Sequence, residues 1–402
     1  MSDMKPIGVD QTTGQQRPVE PTDSVVDNLG DTIKLAITRV EDFSGNVRNR
    51  ATALFPWSST PDLLSDPATL PTGSVFALTW SPNGELLAVA GDSSPYLKVY
   101  QRTGTTFVNN GTFNVVPGGF IVSADWSYDG EFLAVGLFSG SQLFFYQRSG
   151  VDFTQFTPSG GSPAGPSNSV SWSPNGEYVA VAHNNTPYLA IYQRSGTTFT
   201  KLADVATLPT DDAKGASWSP SGDYLAISHQ TSPRITIYQR SGSTFTKLAD
   251  PATLPTADPS NTSQITKAWS PNGEFLALAN QSSTIFVYQV TGTTFTSIPG
   301  VSTGTGVGNA AAWSPDSKYL AVTAGVAKFK VFERDGTTFT LLDDPATMPT
   351  SAFGYYDIVW SPNGEFLAVS TDTSPYFNIY QTDQSMPSSG VVIIDGVKRA
   401  GD

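Results

Sequence analysis

Short apolar runs separated by Gly, Pro, Ser and Asn recur along most of the chain, and they predict β-strands joined by tight turns. The segment "SVFALTWSPNGELLAVAGDSSPYLKVYQRTGTTF" (74–107) holds three such runs, separated by Ser-Pro-Asn-Gly, Ser-Ser-Pro and Arg-Thr-Gly turns. A fourth run, of the type "TFTKLAD", follows the last turn. The second run, "ELLAVA", is almost wholly apolar, as expected of a strand covered on both faces. The unit therefore predicts four short antiparallel strands.

This unit occurs seven times, and a tryptophan marks each occurrence. "WSPNGE" stands unchanged at 80–85, 172–177, 269–274 and 360–365, and the tryptophans follow one another at nearly regular intervals. A period of this length with tight reversals inside each unit predicts an all-β, seven-bladed β-propeller with four-stranded antiparallel blades. The marker residues are Trp80, Trp126, Trp172, Trp218, Trp269, Trp313 and Trp360.

A second aromatic residue ends the third strand of every unit, at an almost constant distance from the tryptophan. We expect both aromatic sets to pack between blades. The length of the unit varies almost only between the fourth strand and the next tryptophan, so one class of loop carries the insertions. The third-strand residues are Tyr100, Tyr146, Tyr192, Tyr238, Tyr288, Phe332 and Tyr380.

The seven units occupy residues 55–383, and the last unit lacks its fourth strand. "QSMPSSG" stands where "TTFTKLAD" is expected, whereas "LLSDPATLPTG" at 63–73 matches "KLADPATLPTA" at 247–257. We therefore expect a strand from about residues 60–70 to complete the last blade and close the ring, which removes the open sheet edges.

Both ends of the chain lie outside the repeat. Residues 1–54 are polar and proline-bearing and predict an extended N-terminal arm for assembly or anchoring. Within them, "DTIKLAITRV" leaves a short helix and a strand both open. Residues 384–402 form a short C-terminal tail, in which Asp-Gly in "VVIIDGVKRA" (391–400) suggests a β-hairpin.

Composition excludes several classes of function. The formal net charge is −13, which disfavours nucleic acid and anionic membrane surfaces as partners. There is no cysteine, so disulfides and thiolate sites are excluded. No apolar stretch approaches the ~18 residues of a membrane span, and we expect no membrane insertion.

Candidate chemistry is sparse. The two histidines, His183 and His229, lie one repeat apart and follow second strands, so a metal pair is conceivable but duplicated loop residues are favoured. The repeated carboxylates after the Asn-Gly turns are predicted to complete those turns. Because phosphate loops, nucleophile elbows and zinc motifs are missing, we predict a protein that is not an enzyme and takes no cofactor or metal. The carboxylates are Glu85, Glu131, Glu177, Asp223, Glu274 and Glu365.

One face of the predicted ring varies and the other does not. The loops of variable length share a face with the turns between second and third strands, such as "GDSSPY", "HNNTPY" and "HQTSPR", whereas the "SPNG" and "RSGTT" turns opposite are nearly identical. We expect recognition to use the varied face. The candidate residues there are His183, Asn184, His229, Gln230, Asp258 and Asn261.

The repeat resembles that of WD-repeat propellers, with "WSPNGE" followed by "LAV"-type strands, although Tyr-Gln replaces the Trp-Asp pair and the Gly-His pair is absent. "KPIGVDQTTGQQRPV" is similar to N-terminal segments of tailed-bacteriophage virion proteins, and "TTFTKLADPATLPT" to WD-like repeats of phage genomes. These resemblances imply a structural protein of the phage particle, associated with its head surface or its tail and assembled in the host cytoplasm. Its partners would be other virion proteins, contacted through residues 1–54 and 391–400. The alternatives are a propeller that binds a host-surface glycan or protein, and an intracellular bacterial WD-repeat scaffold.

Overall fold

The structure, a computed structural model, describes residues 61–138, 143–163, 165–256, 269–279, 282–304, 308–325, 328–349 and 356–382, and the backbone of 24–26, 32–41 and 47–53. The chain divides into two compact units. One comprises Met1–Pro56 with Asp383–Asp402, and the other is Trp57–Thr382.

The first unit contains an antiparallel sheet of β1 (Ser24–Val26), β2 (Thr32–Glu41) and β3 (Val47–Ala53), with β2 in the centre. "DTIKLAITRV" lies almost wholly in β2 and is therefore a strand, in keeping with its β-branched residues. The two neighbouring segments β1 and β3 supply the backbone partners of β2. The suggested C-terminal hairpin lies outside the described residues.

The second unit is a seven-bladed propeller, which confirms the predicted fold class. First strands contact one another from blade one to blade four and from blade six through blade seven to blade one, so they line the centre of the ring. In chain order the strands are β4 (Asp62–Leu63); β5 (Val75–Trp80), β6 (Leu86–Gly91), β7 (Leu97–Thr103) and β8 (Thr106–Asn109) in blade one; β9 (Thr112–Phe113), β10 (Ile121–Trp126), β11 (Phe132–Leu137), β12 (Leu143–Ser149) and β13 (Asp152–Phe156) in blade two; β14 (Ser167–Trp172), β15 (Tyr178–His183), β16 (Leu189–Ser195) and β17 (Thr198–Lys201) in blade three; β18 (Ala213–Trp218), β19 (Tyr224–His229), β20 (Ile235–Ser241) and β21 (Thr244–Lys247) in blade four; β22 (Phe275–Leu278), β23 (Phe286–Thr291) and β24 (Thr294–Ile298) in blade five; β25 (Ala311–Trp313), β26 (Tyr319–Thr323), β27 (Phe329–Asp335) and β28 (Thr338–Leu341) in blade six; and β29 (Ile358–Trp360), β30 (Phe366–Ser370) and β31 (Phe377–Gln381) in blade seven.

Blade two departs from the four-strand pattern, and blade five is described only in part. In blade two, β9 pairs in parallel with β13 and adds a fifth strand. The described residues of blade five contain three strands, and Trp269 forms an isolated bridge with Leu276 of the second strand. Residues 257–268, which precede Trp269, lie outside the described part of the chain.

The ring is closed by the segment that precedes blade one. Strand β4 pairs antiparallel with β31, with Tyr380 opposite Leu63 and Gln381 opposite Asp62. The amide of Leu64 continues the pairing by donating to the Ile379 carbonyl at 2.9 Å. The outer strand of blade seven therefore comes from the start of the ring, which ties its two ends together.

The "WSPNGE" sequence builds the turn between the first and second strands. The Ser81 hydroxyl donates to Asn83 Oδ1 at 2.6 Å and accepts from the Leu86 amide at 2.9 Å. Gly84 has φ 70°, in the left-handed region that favours glycine. Asn83 Nδ2 donates to Glu85 Oε2 at 2.7 Å, so the repeated carboxylate completes the turn. The same amide-to-carboxylate bond occurs in the turns that end at Glu177, Glu274 and Glu365.

Seven apolar clusters hold the ring together, and each joins two adjacent blades. The seven tryptophans are 4–7 % exposed, and the seven third-strand aromatics are at most 3 % exposed. Trp80, for example, lies 5.8 Å from Phe107 of its own blade and 6.1 Å from Phe366 of blade seven, between ring centroids. Burial of such large side chains stabilises the ring by about 1.5–3 kcal/mol each.

Arginines of the "QRSG" type add polar contacts between blades. The Arg194 guanidinium lies 4.3 Å from the Phe132 ring centroid of the preceding blade. It also forms ion pairs with Asp129 at 2.6 Å and Glu131 at 3.1 Å. Arg102, Arg240 and Arg334 stack in the same way on aromatic residues of the preceding blade. The nearly identical "SPNG" and "RSGTT" turns share one face of the ring, which we call the turn face. Their side chains therefore serve packing within and between blades.

Candidate functional site

The opposite face, which we call the loop face, consists of the turns between second and third strands and the loops that enter the first strands. Each of five entering loops is held by a third-strand tyrosine of the blade that it enters. The Tyr238 hydroxyl donates to the Thr207 carbonyl at 2.7 Å. Tyr100, Tyr146, Tyr192 and Tyr288 make the equivalent bond at 2.7–2.8 Å. Burial raises the pKa of all five phenols, so these groups stay protonated and continue to donate.

A β-bulge occurs near the start of the first strand in blades one to four. In blade one, Val75 pairs with Gly91 and Ala77 with Ala90, so Phe76 is the extra residue. The register shifts in the same way at the fourth residue before the tryptophan in the next three blades. Such bulges redirect side chains at the rims of closed sheets. The residues at this position are Phe76, Val122, Asn168 and Lys214, and the same sequence position holds Asn309 in blade six and Tyr356 in blade seven.

Polar side chains meet beside the bulged position between blades three and four. We call Asn168, Asn184, Asp212 and Lys214 the polar arc. Lys214 is only 3 % exposed, and its Nζ donates to Asn184 Oδ1 at 2.9 Å. Asn168 Nδ2 donates to Asn184 Oδ1 at 2.5 Å and to the Ala213 carbonyl at 2.7 Å. Burial lowers the pKa of Lys214, and the Asp212 carboxylate, 3.5 Å away, partly opposes this shift.

Aromatic side chains lie near the starts of the first strands in blades one, two and seven. We call Phe76, Phe120, Phe138 and Tyr356 the aromatic arc. Phe76 stacks on Tyr356 with ring centroids 4.1 Å apart. Its other neighbour, Phe120, meets it edge-on at 4.5 Å and lies 5.6 Å from Phe138. All four are partly exposed. None belongs to the seven clusters that join the blades.

The histidines do not take the recognition role that the loop pattern suggests. His183 and His229 end their second strands with 0 % exposure, so neither imidazole reaches the surface. His229 is hydrogen-bonded through Nδ1 to Thr210 at 3.2 Å and through Nε2 to Thr236 at 3.0 Å. Burial lowers the pKa of both imidazoles to about 4. The sequence could not show that the histidines are buried. Each histidine ends a second strand opposite the bulge of the first strand, and that bulge is known only from the structure.

The other candidates divide between the polar arc, the surface and the undescribed segment. Asn184 is partly exposed and accepts bonds in the polar arc, and Gln230 is partly exposed in the next turn. Asp258 and Asn261 lie outside the described residues. Within the described ranges, no group of His, Asp or Glu could hold a metal ion. Sequence reasoning missed Phe76, Lys214 and Tyr356, although comparing the fourth residue before each tryptophan would have revealed an unusually variable position.

A groove next to the outer strands of blades two and three lacks the side chains of an acid–base site. It encloses about 430 Å³. Its lining contains no carboxylate, histidine, lysine or tyrosine, the side chains that usually carry out general acid–base catalysis. Among the described residues, no helix is both long and apolar enough to cross a membrane. The lining residues are Gln147, Phe156, Thr157, Pro158, Ser159, Thr197, Thr198 and Phe199.

Comparison with known proteins gives a family likeness for the repeats and a fold for the ring. Residues 78–249, which span blades one to four, match the model of the family "Eukaryotic translation initiation factor eIF2A". Kuenenia stuttgartiensis hydrazine synthase is similar in structure, with a TM-score of 0.59 and 16 % identity over 79 % of this chain and 97 % of that chain. At this identity the likeness shows the fold alone. No curated protein sequence matches the chain. The protein is therefore a seven-bladed β-propeller of the WD40 type whose repeats are like those of the eIF2A family.

Proposed function

We propose that the protein is a non-enzymatic interaction module that binds a partner protein through its loop face and acts as a structural component of a tailed-phage virion. The observation that carries the binding role is the division between the two faces. On the turn face, repeated Arg, Ser, Asn and Glu side chains are engaged in contacts within and between blades. On the loop face, one bulged position holds Phe, Val, Asn or Lys, so the blade itself does not dictate the side chain.

A binding role also fits the titratable groups inside the ring. The groups whose pKa shifts most, namely both histidines and five tyrosines, are buried inside blades. His229 and the tyrosines are hydrogen-bonded to neighbouring strands or loops. Shifted groups in an enzyme usually line a cleft where substrate can reach them. Here the shifts follow from packing.

The proposed role in a virion rests on the sequences of the repeats and of the N-terminal segment, which are similar to those of phage proteins. Residues 1–54 and 391–400 are the proposed attachment segments, because the ring closes through its own β4. A ring that needs nothing from these segments for closure leaves them available to bind a neighbour.

The test is to purify phage particles from cells that express either the full chain or a variant beginning at residue 55. Mass spectrometry of the particles should detect the full chain at a fixed copy number and should not detect the shortened variant. Circular dichroism and thermal unfolding of the isolated variant would show that its ring is intact. Equal incorporation of both proteins would contradict anchoring by residues 1–54.

The match to the eIF2A family favours a second candidate, an intracellular scaffold of WD-repeat type. The family's name refers to translation initiation, but the net charge of −13 disfavours direct contact with RNA phosphates. The particle experiment separates the two candidates. Recovery of the full chain only in the soluble fraction of cells, bound to host proteins, would favour the scaffold.

A further inference from the structure

The aromatic arc makes ring contacts across blade junctions, but it lies outside the seven apolar clusters that form those junctions. Phe76 and Tyr356 stand where blades three and six hold Asn168 and Asn309, so a blade folds with a polar residue at this position. Large, partly exposed aromatic side chains that packing does not require are typical of binding surfaces. A neighbouring residue at the next strand start, Val122, is buried at 2 % exposure and does not extend this surface.

Two carboxylates flank the aromatic arc. The Asp92 amide donates to the carbonyl of Ser74, two residues before Phe76, at 3.2 Å. Asp372 follows Thr371, whose carbonyl accepts from the Val75 amide at 3.3 Å. These bonds fix both acidic turns beside Phe76, one in blade one and one in blade seven. Asp92 is exposed and Asp372 is partly exposed.

We propose that the aromatic arc, together with Asp92 and Asp372, is a subsite for a lysine or arginine side chain presented by the partner protein. The ring faces attract the cation through their quadrupoles, and the two carboxylates neutralise its charge. This inference rests on the proposed binding role of the loop face and specifies the chemistry of its partner. The net charge of −13 adds a general attraction for a basic segment.

The electrostatics at Tyr356 agree with this assignment. Burial raises the pKa of its phenol, and the charges of Asp372 and Asp92 raise it further. Both carboxylates therefore act electrostatically on one member of the aromatic arc. An anionic ligand such as a phosphate would be repelled by the same pair.

The experiment measures fluorescence anisotropy of a labelled peptide of alternating Ser and Arg titrated with the full-length protein at about 0.05 M salt, where surface charges are weakly screened. A peptide with Gln in place of Arg and a labelled neutral dextran are the comparison probes. The test variants are Phe76→Asn and Tyr356→Asn, which install a residue that other blades carry at this position. A further variant, Asp92→Asn/Asp372→Asn, removes the two charges.

Two control variants separate this subsite from general attraction. Tyr128→Asn removes an aromatic residue that is 67 % exposed in the turn-face segment "SYDG". Glu85→Gln/Glu177→Gln changes the net charge by the same amount as the aspartate pair, but on the turn face. Thermal unfolding of every variant checks that the ring remains folded.

The Arg peptide should bind with a Kd below about 1 mM, and either aromatic variant should weaken it about tenfold. The aspartate pair should also weaken binding several-fold, and both controls should change it less than twofold. Failure of the Arg peptide to saturate, equal binding of the Gln peptide, or equal loss in Tyr128→Asn would overturn the subsite. Dextran binding that depends on Phe76 would overturn it too, in favour of stacking on a sugar. Association with particles is measured separately, so it can succeed while this inference fails.

Discussion

Acidification from pH 7 to pH 5 should destabilise the ring through its two histidines. Both imidazoles are fully buried, and burial lowers their pKa from the ordinary value of 6.5 to about 4. Between these two values the unfolded chain binds protons that the folded ring does not, so the free energy of unfolding falls as the pH falls. The stability that the neutral histidines supply is complete above the unfolded pKa and is lost towards the folded one.

The size of this effect follows from the two pKa values. At pH 5 each histidine should lower the free energy of unfolding by about 2 kcal/mol relative to pH 7, and the pair should lower it by about 4 kcal/mol. Histidine is the side chain whose ordinary pKa lies between pH 5 and pH 7, and the chain has two, so we expect them to dominate the change. With an unfolding entropy of about 2.1 cal/mol/K per residue, summed over the ring unit Trp57–Thr382, the midpoint of thermal unfolding should fall by about 6 °C.

The assay is differential scanning calorimetry of the full chain at pH 7, 6 and 5, beside the variants His183→Gln, His229→Gln and the double variant. Each substitution should remove about half of the pH-dependent shift, whatever it does to the absolute midpoint. Proton NMR of the two imidazoles provides an independent readout, since both should stay neutral down to about pH 5. An unchanged pH dependence in the double variant, or titration of either ring near 6.5, would refute the reasoning.

Three further predictions concern the loops, the arginine contacts and the closure. Tyr238→Phe should lower the free energy of unfolding, measured by chemical denaturation, by about 1–2 kcal/mol, because it leaves the Thr207 carbonyl without its donor. Tyr128→Phe on the surface should lower it by less than about 0.5 kcal/mol. Arg194→Lys should lower the free energy of unfolding by about 1 kcal/mol, because lysine lacks the planar fork that contacts Asp129, Glu131 and Phe132. Arg148→Lys should lower it less, because Arg148 stacks on Trp126 of its own blade. Equal losses would contradict a role of Arg194 in joining blades. A chain that begins at residue 74 lacks β4 and should aggregate or melt far below one that begins at residue 55; identical melting curves would show that closure contributes nothing.

The blade skeleton could be predicted from the sequence because packing repeats wherever a blade repeats. A first-strand Trp, a third-strand aromatic and a fourth-strand Phe recur at fixed spacing and meet at the junctions, as Trp80, Tyr100 and Phe107 do. The "SPNG" turn was predictable for the same reason, since its hydrogen bonds are local. The strand over 32–41 was not, because an amphipathic spacing in a polar segment fits both helix and strand until a partner strand is known.

The loop face could not be predicted in the same way, because its chemistry arises from contacts that are distant in sequence. Phe76 belongs to the first blade and Tyr356 to the last, and they stack only because these two blades become neighbours. Lys214 and Asn184 belong to different blades. The histidines stand out because they are rare, yet a rare residue at the end of a strand can point into the core as readily as out of it. Distance along the chain carries no information on such pairs.

Internal repetition separates what the blade needs from what it tolerates. Where seven blades carry the same residue, as at the tryptophan, the position is fixed by the junction that every blade must make with its neighbour. Where they carry Phe, Val, Asn, Lys and Tyr, as at the fourth residue before the tryptophan, the fold has no single requirement. At this position Val122 and Lys214 are buried, whereas Phe76 and Tyr356 are partly exposed, so a partner can reach it in blades one and seven. In those two blades this variable position is therefore where binding specificity can be changed without loss of the ring.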